Sequence, residues 1–381
     1  MTKDASADFS DRIADYDFAL PETQIAQSPS PRREDARLLV VRRSPAGGLP
    51  RFEDLRVSEL PALAAQEPSL KDALWVRNVS KVIPARFYAR RASGGVHEIV
   101  LTEERGADVG LQNSSSRWDA LIRRSARFSY PQELFVDTPM GERRIVSPEV
   151  GVVDIGGLGA DPLAVLQQIG EMPLPPYIRE RIPERDRERY QTIWARDEHA
   201  KSVAAPTASL HFTPTLVDAL RAQGAEFCDL VLHVGLGTFE PVRGESLAGH
   251  ELHSERVEAP APTLHALEKA IAQKRPCVAL GTTALRSLES LPLAGHSQAA
   301  GADLVATADG GLRGRTRLFV RPGFEFRHTT ALMTNFHLPQ STLLVLVSCF
   351  AGSRTLALEA YRHAVAKGYR FFSFGDASIW L

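Results

Sequence analysis

The strongest limit on the fold is a change of texture along the chain. Between Ala73 and about Asp154, short β-rich runs (74–76, 82–88, 98–101, 120–122, 144–147 and 150–155) alternate with glycine-bearing turns such as Ser93-Gly94-Gly95. Short strands at intervals of roughly ten residues predict a small barrel or sandwich. From Ser202 onward the pattern is different: apolar strands (229–234, 277–280, 317–321, 369–374) alternate with helical stretches (214–223, 262–274, 342–350, 353–367). That alternation predicts a sheet covered by helices, with ligand loops at the strand ends. Upstream, 37–42 reads as a strand and 57–63 as helical, while Pro173-Leu174-Pro175-Pro176-Tyr177 must be extended. The expected architecture is an α/β fold with a compact all-β insert, barrel or sandwich, between about 73 and 154.

A chain of 381 residues with 44% hydrophobic residues and a net charge of −1 has ample material for a core and none of the signature of disorder. Cys228, Cys277 and Cys349 are too few and too scattered for a disulfide framework or a four-cysteine zinc site, and fit a reducing compartment. The polar, acidic start and the short apolar stretch at 343–351 give neither a signal peptide nor a membrane span. The expectation is a soluble, cytoplasmic protein. With so little net charge, any contact to a polyanion must come from local clusters, of which Arg77, Lys81, Arg86, Arg90 and Arg91 form one and Arg123, Arg124 and Arg127 another. A solvated barrel face explains both equally well.

Six segments carry candidate chemistry. Residues 204–213 place His211 just before a helix that Thr213 would cap, with Pro214 in its first position. Residues 232–239 run from a strand through His233 into a glycine loop holding Gly235, Gly237 and Thr238, without the third glycine of a dinucleotide fingerprint. His250-x-x-His253-x-Glu255 has metal-like spacing but no helical frame, so an acid/base pair is the better reading. Gly281-Thr282-Thr283 sits in a strand–turn–helix setting. Residues 334–342, with Asn335 and His337, and the turn ending at Gly375-Asp376 complete the set. Each segment alone is explained as local structure; several polar turns beside apolar strands point to one shared cleft.

With those segments in hand, the chain resembles the S-adenosylmethionine:tRNA ribosyltransferase-isomerase family of queuosine biosynthesis over nearly its full length. The resemblance rests on Asp17-Phe18 with Leu20-Pro21, Ile25-Ala26-Gln27, Val82-Ile83-Pro84-Ala85-Arg86, the 173–178 proline segment, and Tyr190-Gln191-Thr192. Residues 204–212, 232–239, His253-Ser254-Glu255, Gly281-Thr282-Thr283, 334–342 and 369–376 follow in the same order. It implies a large α/β domain (1–69 and 156–381) carrying an inserted small antiparallel β-barrel domain (70–155). It also implies transfer and isomerisation of the ribosyl moiety of S-adenosylmethionine onto 7-aminomethyl-7-deazaguanine in the tRNA anticodon loop. Adenine and methionine leave, and epoxyqueuosine-tRNA is formed. No metal or other cofactor is implied beyond S-adenosylmethionine as co-substrate, and a monomer is expected.

A sulfonium acidifies its neighbouring carbon, adenine needs a proton to depart, and the attacking amine must lose one. His211, His233, His253 and Glu255 are the expected pool of acids and bases, with no single role for each. Gly235, Gly237, Thr238, Thr282 and Thr283 are expected to bind the nucleoside. Arg86, Thr207, Asn335, His337 and Asp376 are expected to bind substrate or frame the pocket. The chain departs from the family pattern at Asn78-Val79-Ser80-Lys81, Lys201, Ser209 and Ala377-Ser378. Those departures keep two alternatives open: a divergent paralogue using S-adenosylmethionine with another acceptor, or a non-catalytic protein binding S-adenosylmethionine or RNA.

Overall fold

Four consecutive apolar residues, Leu38 to Val41, are fully buried in the strand Arg37–Arg42. A strand apolar on both faces has to be covered on both. Leu39 and Val41 accordingly join one core, with Phe336, Phe350 and Tyr361, while Leu38 and Val40 join the opposite one, with Trp75, Phe212 and Leu220. The computed structural model describes residues 8–43, 51–105, 116–123, 128–233, 246–250 and 252–381.

Among these, ten strands form one mixed sheet. Across it lie Ala302–Ala306, Leu312–Thr316, Glu255–Ala259, Glu226–His233, Leu74–Asn78, Cys277–Leu280, Ala331–Asn335, Ala377–Trp380, Arg37–Arg42 and Arg51–Arg56. The four central strands from Glu226–His233 to Ala331–Asn335 are mutually parallel, so their carboxyl ends share one edge. Six antiparallel strands close the barrel: Val152–Asp154, Arg117–Ile122, Val96–Glu104, Arg86–Arg90, Gln132–Thr138 and Gly141–Ser147. Phe87, Ile99, Leu101, Trp118, Leu134 and Ile145 fill it.

Three expectations need correction. The run at 74–76, assigned by sequence to the insert that starts at residue 70, is a central strand of the large sheet. Its side chains divide between two cores, Trp75 to one and Leu74 and Val76 to the other, whereas a small barrel keeps one strand face wet. The first barrel strand is Arg86–Arg90. Residues 317–321 are irregular, because the strand ends at Thr316. Residues 369–374 form a turn with a single bridge, Ile25 to Phe371, not a strand; their aromatic side chains serve core packing.

The helix Pro214–Ala222 starts as expected: Thr213 Oγ1 accepts the Leu216 N–H at 3.2 Å, with Pro214 in the first position. Thr213→Ala should lower the unfolding free energy by about 1 kcal/mol, read from the urea midpoint. The three cysteines are free thiols. No single described helix is long and apolar enough to cross a membrane.

Candidate functional site

A cavity of about 600 Å³ opens beyond the carboxyl ends of Cys277–Leu280 and Ala331–Asn335. Such a crevice is where open parallel sheets bind ligands. The first wall is built by Gly281, whose φ of +96° turns the chain from strand into the helix Thr282–Ser290 within one residue. Thr282 and Thr283 line the cavity in the first turn of that helix, where N–H groups are free and the dipole is positive. Thr283 Oγ1 is buried with no hydrogen-bond partner among the described residues.

The second wall is 334–343. The Thr334 hydroxyl lies 3.0 Å from His337 Nε2 and orients the imidazole, while the His337 backbone N–H donates to the Tyr361 hydroxyl at 3.1 Å and holds the main chain beneath it. Asn335 Nδ2 donates to the Phe372 carbonyl at 2.9 Å, tying the 372–375 turn to the strand end. Ser341 caps the apolar helix Thr342–Ala351 by accepting from the Leu344 N–H at 3.2 Å. Ala204 to Ala208, including Thr207, form the third wall. On the fourth, the Tyr177 ring stacks on Phe372 at 4.6 Å between centroids, and its hydroxyl lies 2.7 Å from Ser373 Oγ. Ile13 and Asp17 complete the lining.

The electrostatics are simple. Burial pushes the His337 pKa down to about 3, so the imidazole is neutral at neutral pH. Asp17, an exposed residue, is the only charged side chain among the described residues of the lining.

Of the residues expected from sequence, Thr207, Thr282, Thr283, Asn335 and His337 meet in this cavity. His211 stands behind its wall, beside Asn335 and Asp376. Both neighbours favour the imidazolium, but burial outweighs them and lowers the pKa to about 4. Asp376 is buried and accepts the Arg37 and Arg370 N–H groups at 3.0 and 2.8 Å, which holds the turn rather than facing the cavity.

The remaining expected residues lie elsewhere. His233 ends its strand opposite Arg256, and burial with the Arg256, Lys201 and His199 charges drives its pKa to about 3. His253 is exposed, and Glu255 is buried in an ion pair with Arg286. Neither these three nor Arg86 lines the cavity; Arg86 pairs with Glu98 and donates to the Leu174 carbonyl at 3.0 Å. Gly235, Gly237 and Thr238 lie outside the described residues, as do Arg124 and Arg127. No group of three or more His, Cys, Asp or Glu among the described residues is placed to hold a metal ion.

Sequence reasoning missed Asp17, Tyr177, Thr334, Phe372 and Ser373 as site residues. Asp17 and Tyr177 were visible only as parts of motifs that carry the resemblance. The departures from the family pattern are absorbed locally. Val79 is fully buried in a core that also holds Trp75, Ala208 and Phe212. Asn78 bridges to the next strand through the Leu232 N–H and carbonyl, at 3.1 and 2.9 Å. Lys81 pairs with Asp197, and Lys201 with Glu104 at 2.8 Å. Ser209 is buried with its hydroxyl unpartnered among the described residues, and nothing in the structure explains that choice.

A family profile described as "Queuosine biosynthesis protein" matches residues 13–380. The S-adenosylmethionine:tRNA ribosyltransferase-isomerase of Thermus thermophilus is 43% identical over 373 residues, spanning 96% of this chain and 98% of the relative. The protein of the same name from Thermotoga maritima is 39% identical over 370 residues, spanning 97% and 100%. A crystal structure of S-adenosylmethionine tRNA ribosyltransferase from Thermotoga maritima superposes with a TM-score of 0.51 at 31% identity, covering 96% of this chain and 100% of that one.

Proposed function

Because the chain belongs to the queuosine biosynthesis protein family, we infer that it is an S-adenosylmethionine:tRNA ribosyltransferase-isomerase. It moves the ribosyl moiety of S-adenosylmethionine onto 7-aminomethyl-7-deazaguanine in tRNA, giving epoxyqueuosine-tRNA, adenine and methionine. The acceptor nucleotide lies in the anticodon loop, and the working unit is a cytoplasmic monomer with residues 86–155 as its inserted barrel. S-adenosylmethionine is consumed as co-substrate.

The observation that carries this reading is the cavity lining: apolar and hydroxyl walls with one carboxylate, Asp17, and no cation among the described residues. Apolar walls with a few hydroxyls suit a nucleoside, and the lone negative charge suits a sulfonium. Asp17 is assigned as the partner of that charge. Thr282, Thr283 and the free N–H groups above them bind nucleoside oxygens, and Thr207 and Asn335 frame the opposite side. Gly235, Gly237 and Thr238 are assigned to nucleoside binding from their sequence motif.

In the reaction a base takes the C5′ proton beside sulfur and adenine departs from C1′ with a proton. The aminomethyl nitrogen bonds to a sugar carbon as its ring C–O bond opens and loses a proton, the C5′ electron pair closes a carbon–carbon bond to C1′, and the oxygen left on C1′ displaces methionine from C5′ to close the epoxide. Neutral His337, fixed by Thr334 and Tyr361, accepts or donates hydrogen bonds without competing for the cation. His211 acts through Asn335 as a positioning residue. His233, His253 and Glu255 stay in the pool of proton carriers, His233 at the carboxyl end of a strand parallel to the two that open the cavity.

Purified protein given S-adenosylmethionine and precursor-bearing tRNA should release adenine and form epoxyqueuosine; no adenine release would overturn the assignment. Adenine release with a small amine but not tRNA would instead favour the paralogue reading. Asp17→Asn should weaken S-adenosylmethionine binding about tenfold, roughly 1.4 kcal/mol, and leave the neutral thioether S-adenosylhomocysteine unaffected. Calorimetry with both ligands checks this, and equal weakening of the two would remove the charge role from Asp17.

A further inference from the structure

A second, larger cavity of about 790 Å³ lies at the other end of the helix Thr282–Ser290. Thr283 lines the first cavity and Glu289 the second, about 9 Å of axial rise apart. The segment 246–248 links the N-terminal wall of the first site to the second. Ile13 lines the first, Arg12 bridges to Ser246, and Arg321 at the second donates to the Ala248 carbonyl at 3.2 Å.

The second lining is polar and cationic. Arg317, Arg321 and Arg327 all face it, and all three are exposed. None is paired with a carboxylate among the described residues. Elsewhere in the sheet domain arginines are committed: Arg42 to Glu53 and Glu67, Arg275 to Glu226, Arg315 to Glu103. Two carboxylates share the lining. Glu289 is buried and already saturated by the Arg327, His328 and Thr329 N–H groups and the Thr329 hydroxyl, at 2.7 to 3.1 Å. That leaves Glu325 against three arginines.

Aromatic rings alternate with the cations: Phe319 and Phe324 line the same cavity, and His250 stands edge-on to Phe319 at 5.6 Å. The segment from 317 to 327 that carries these groups has no helix or strand. Exposed, solvated arginines hold one small anion weakly, but their contacts add along a polyanion. Interleaved aromatic rings add stacking surface for unpaired bases.

We propose that this second cavity binds single-stranded nucleic acid, the loop of the tRNA substrate next to the nucleotide being modified. Arg317, Arg321 and Arg327 contact its phosphates, and Phe319 and Phe324 stack its bases. The inference rests on tRNA being the acceptor. It explains how a cavity without a cation of its own presents a polyanion's base to the sulfonium: the phosphates are held one helix length away.

The test measures tRNA affinity of the full chain against salt, for the wild type and for the triple variant Arg317→Gln, Arg321→Gln, Arg327→Gln. The slope of log affinity on log salt should fall by about two to three in magnitude, and affinity at ~0.1 M salt by tenfold or more. S-adenosylmethionine affinity should stay within twofold. Arg317→Gln alone removes no side-chain hydrogen bond among the described residues and should lower the slope by about 0.7–0.9, so the test survives if the triple variant fails to fold. Phe324→Leu should weaken binding with the slope unchanged. Unaltered slope and affinity in folded variants would overturn the proposal while leaving the function intact. A wild type that binds no tRNA would overturn both.

Discussion

Glu255→Ala is expected to lower the unfolding free energy by about 3–5 kcal/mol. Glu255 opens the strand Glu255–Ala259, and Arg286 lies mid-helix in Thr282–Ser290. Both side chains are 6% exposed, and they pair directly. Arg286 also donates through Nε to the Leu318 carbonyl at 2.9 Å, so it cannot swing out to water when its partner is lost. Deleting the carboxylate strands a cation in the interior, which is the costly half of a buried pair; removing both charges is far milder. Urea unfolding of Glu255→Ala should show the loss, and Glu255→Gln with Arg286→Met should recover most of it. The same pair separates structure from chemistry. A Glu255→Gln protein as stable as wild type but unable to release adenine would return Glu255 to the reaction, whereas activity that follows the folded fraction keeps it a brace.

Acid should weaken the fold well above the range in which ordinary carboxylates titrate. His211 and His337 are 5% and 8% exposed, with pKa values near 4 and 3 against an ordinary 6.5. In each, desolvation by burial is the largest cause. Below pH 6.5 the unfolded chain takes up protons that the native imidazoles refuse, so unfolding binds protons and stability falls as pH falls. Each histidine contributes up to about 1.4 kcal/mol per pH unit across that window, or about 2 kcal/mol between pH 7 and 5. The His211 contribution levels off once pH drops through about 4. His233 shifts in the same direction and adds to the trend. Urea midpoints at pH 7, 6 and 5 measure the slope, and His337→Asn should flatten it. A level profile over those two units would contradict the burial assigned to these rings.

Much of the architecture was legible because its cause is local. Apolar runs bounded by turns marked Arg37–Arg42 and Cys277–Leu280, and Thr213-Pro214 marked a helix start. The misplaced pieces share a different cause. Leu74-Trp75-Val76 is β-rich and precedes barrel strands, and only its pairing partners, more than 150 residues on, reveal which sheet it joins. The aromatic run at 369–374 has strand composition but is consumed by packing. For the cavity, turns after strands were the legible signal, and Thr282, Thr283, Asn335 and His337 from two such turns line it together. His233, His253 and Glu255 drew attention as reactive residue types, and type alone does not say which side chains line a given cavity. Asp17 drew no attention for the opposite reason: only the fold shows that the rest of the lining, contributed by five distant segments, carries no other charged side chain among the described residues.

The position of Ala377–Trp380 between Ala331–Asn335 and Arg37–Arg42 has a consequence for biosynthesis. All six barrel strands are consecutive in the chain, so the barrel has every strand partner soon after residue 154 clears the ribosome. The big sheet does not: a seam beside Arg37–Arg42 stays open until residues 377–380 have been made, with backbone N–H and C=O groups facing solvent. A nascent chain therefore carries a finished module tethered to an unzipped one, and unpaired edges of that kind are where newly made proteins stick to one another. Stop codons introduced shortly before residue 377 should consequently send the product into inclusion bodies while its barrel remains protease-resistant.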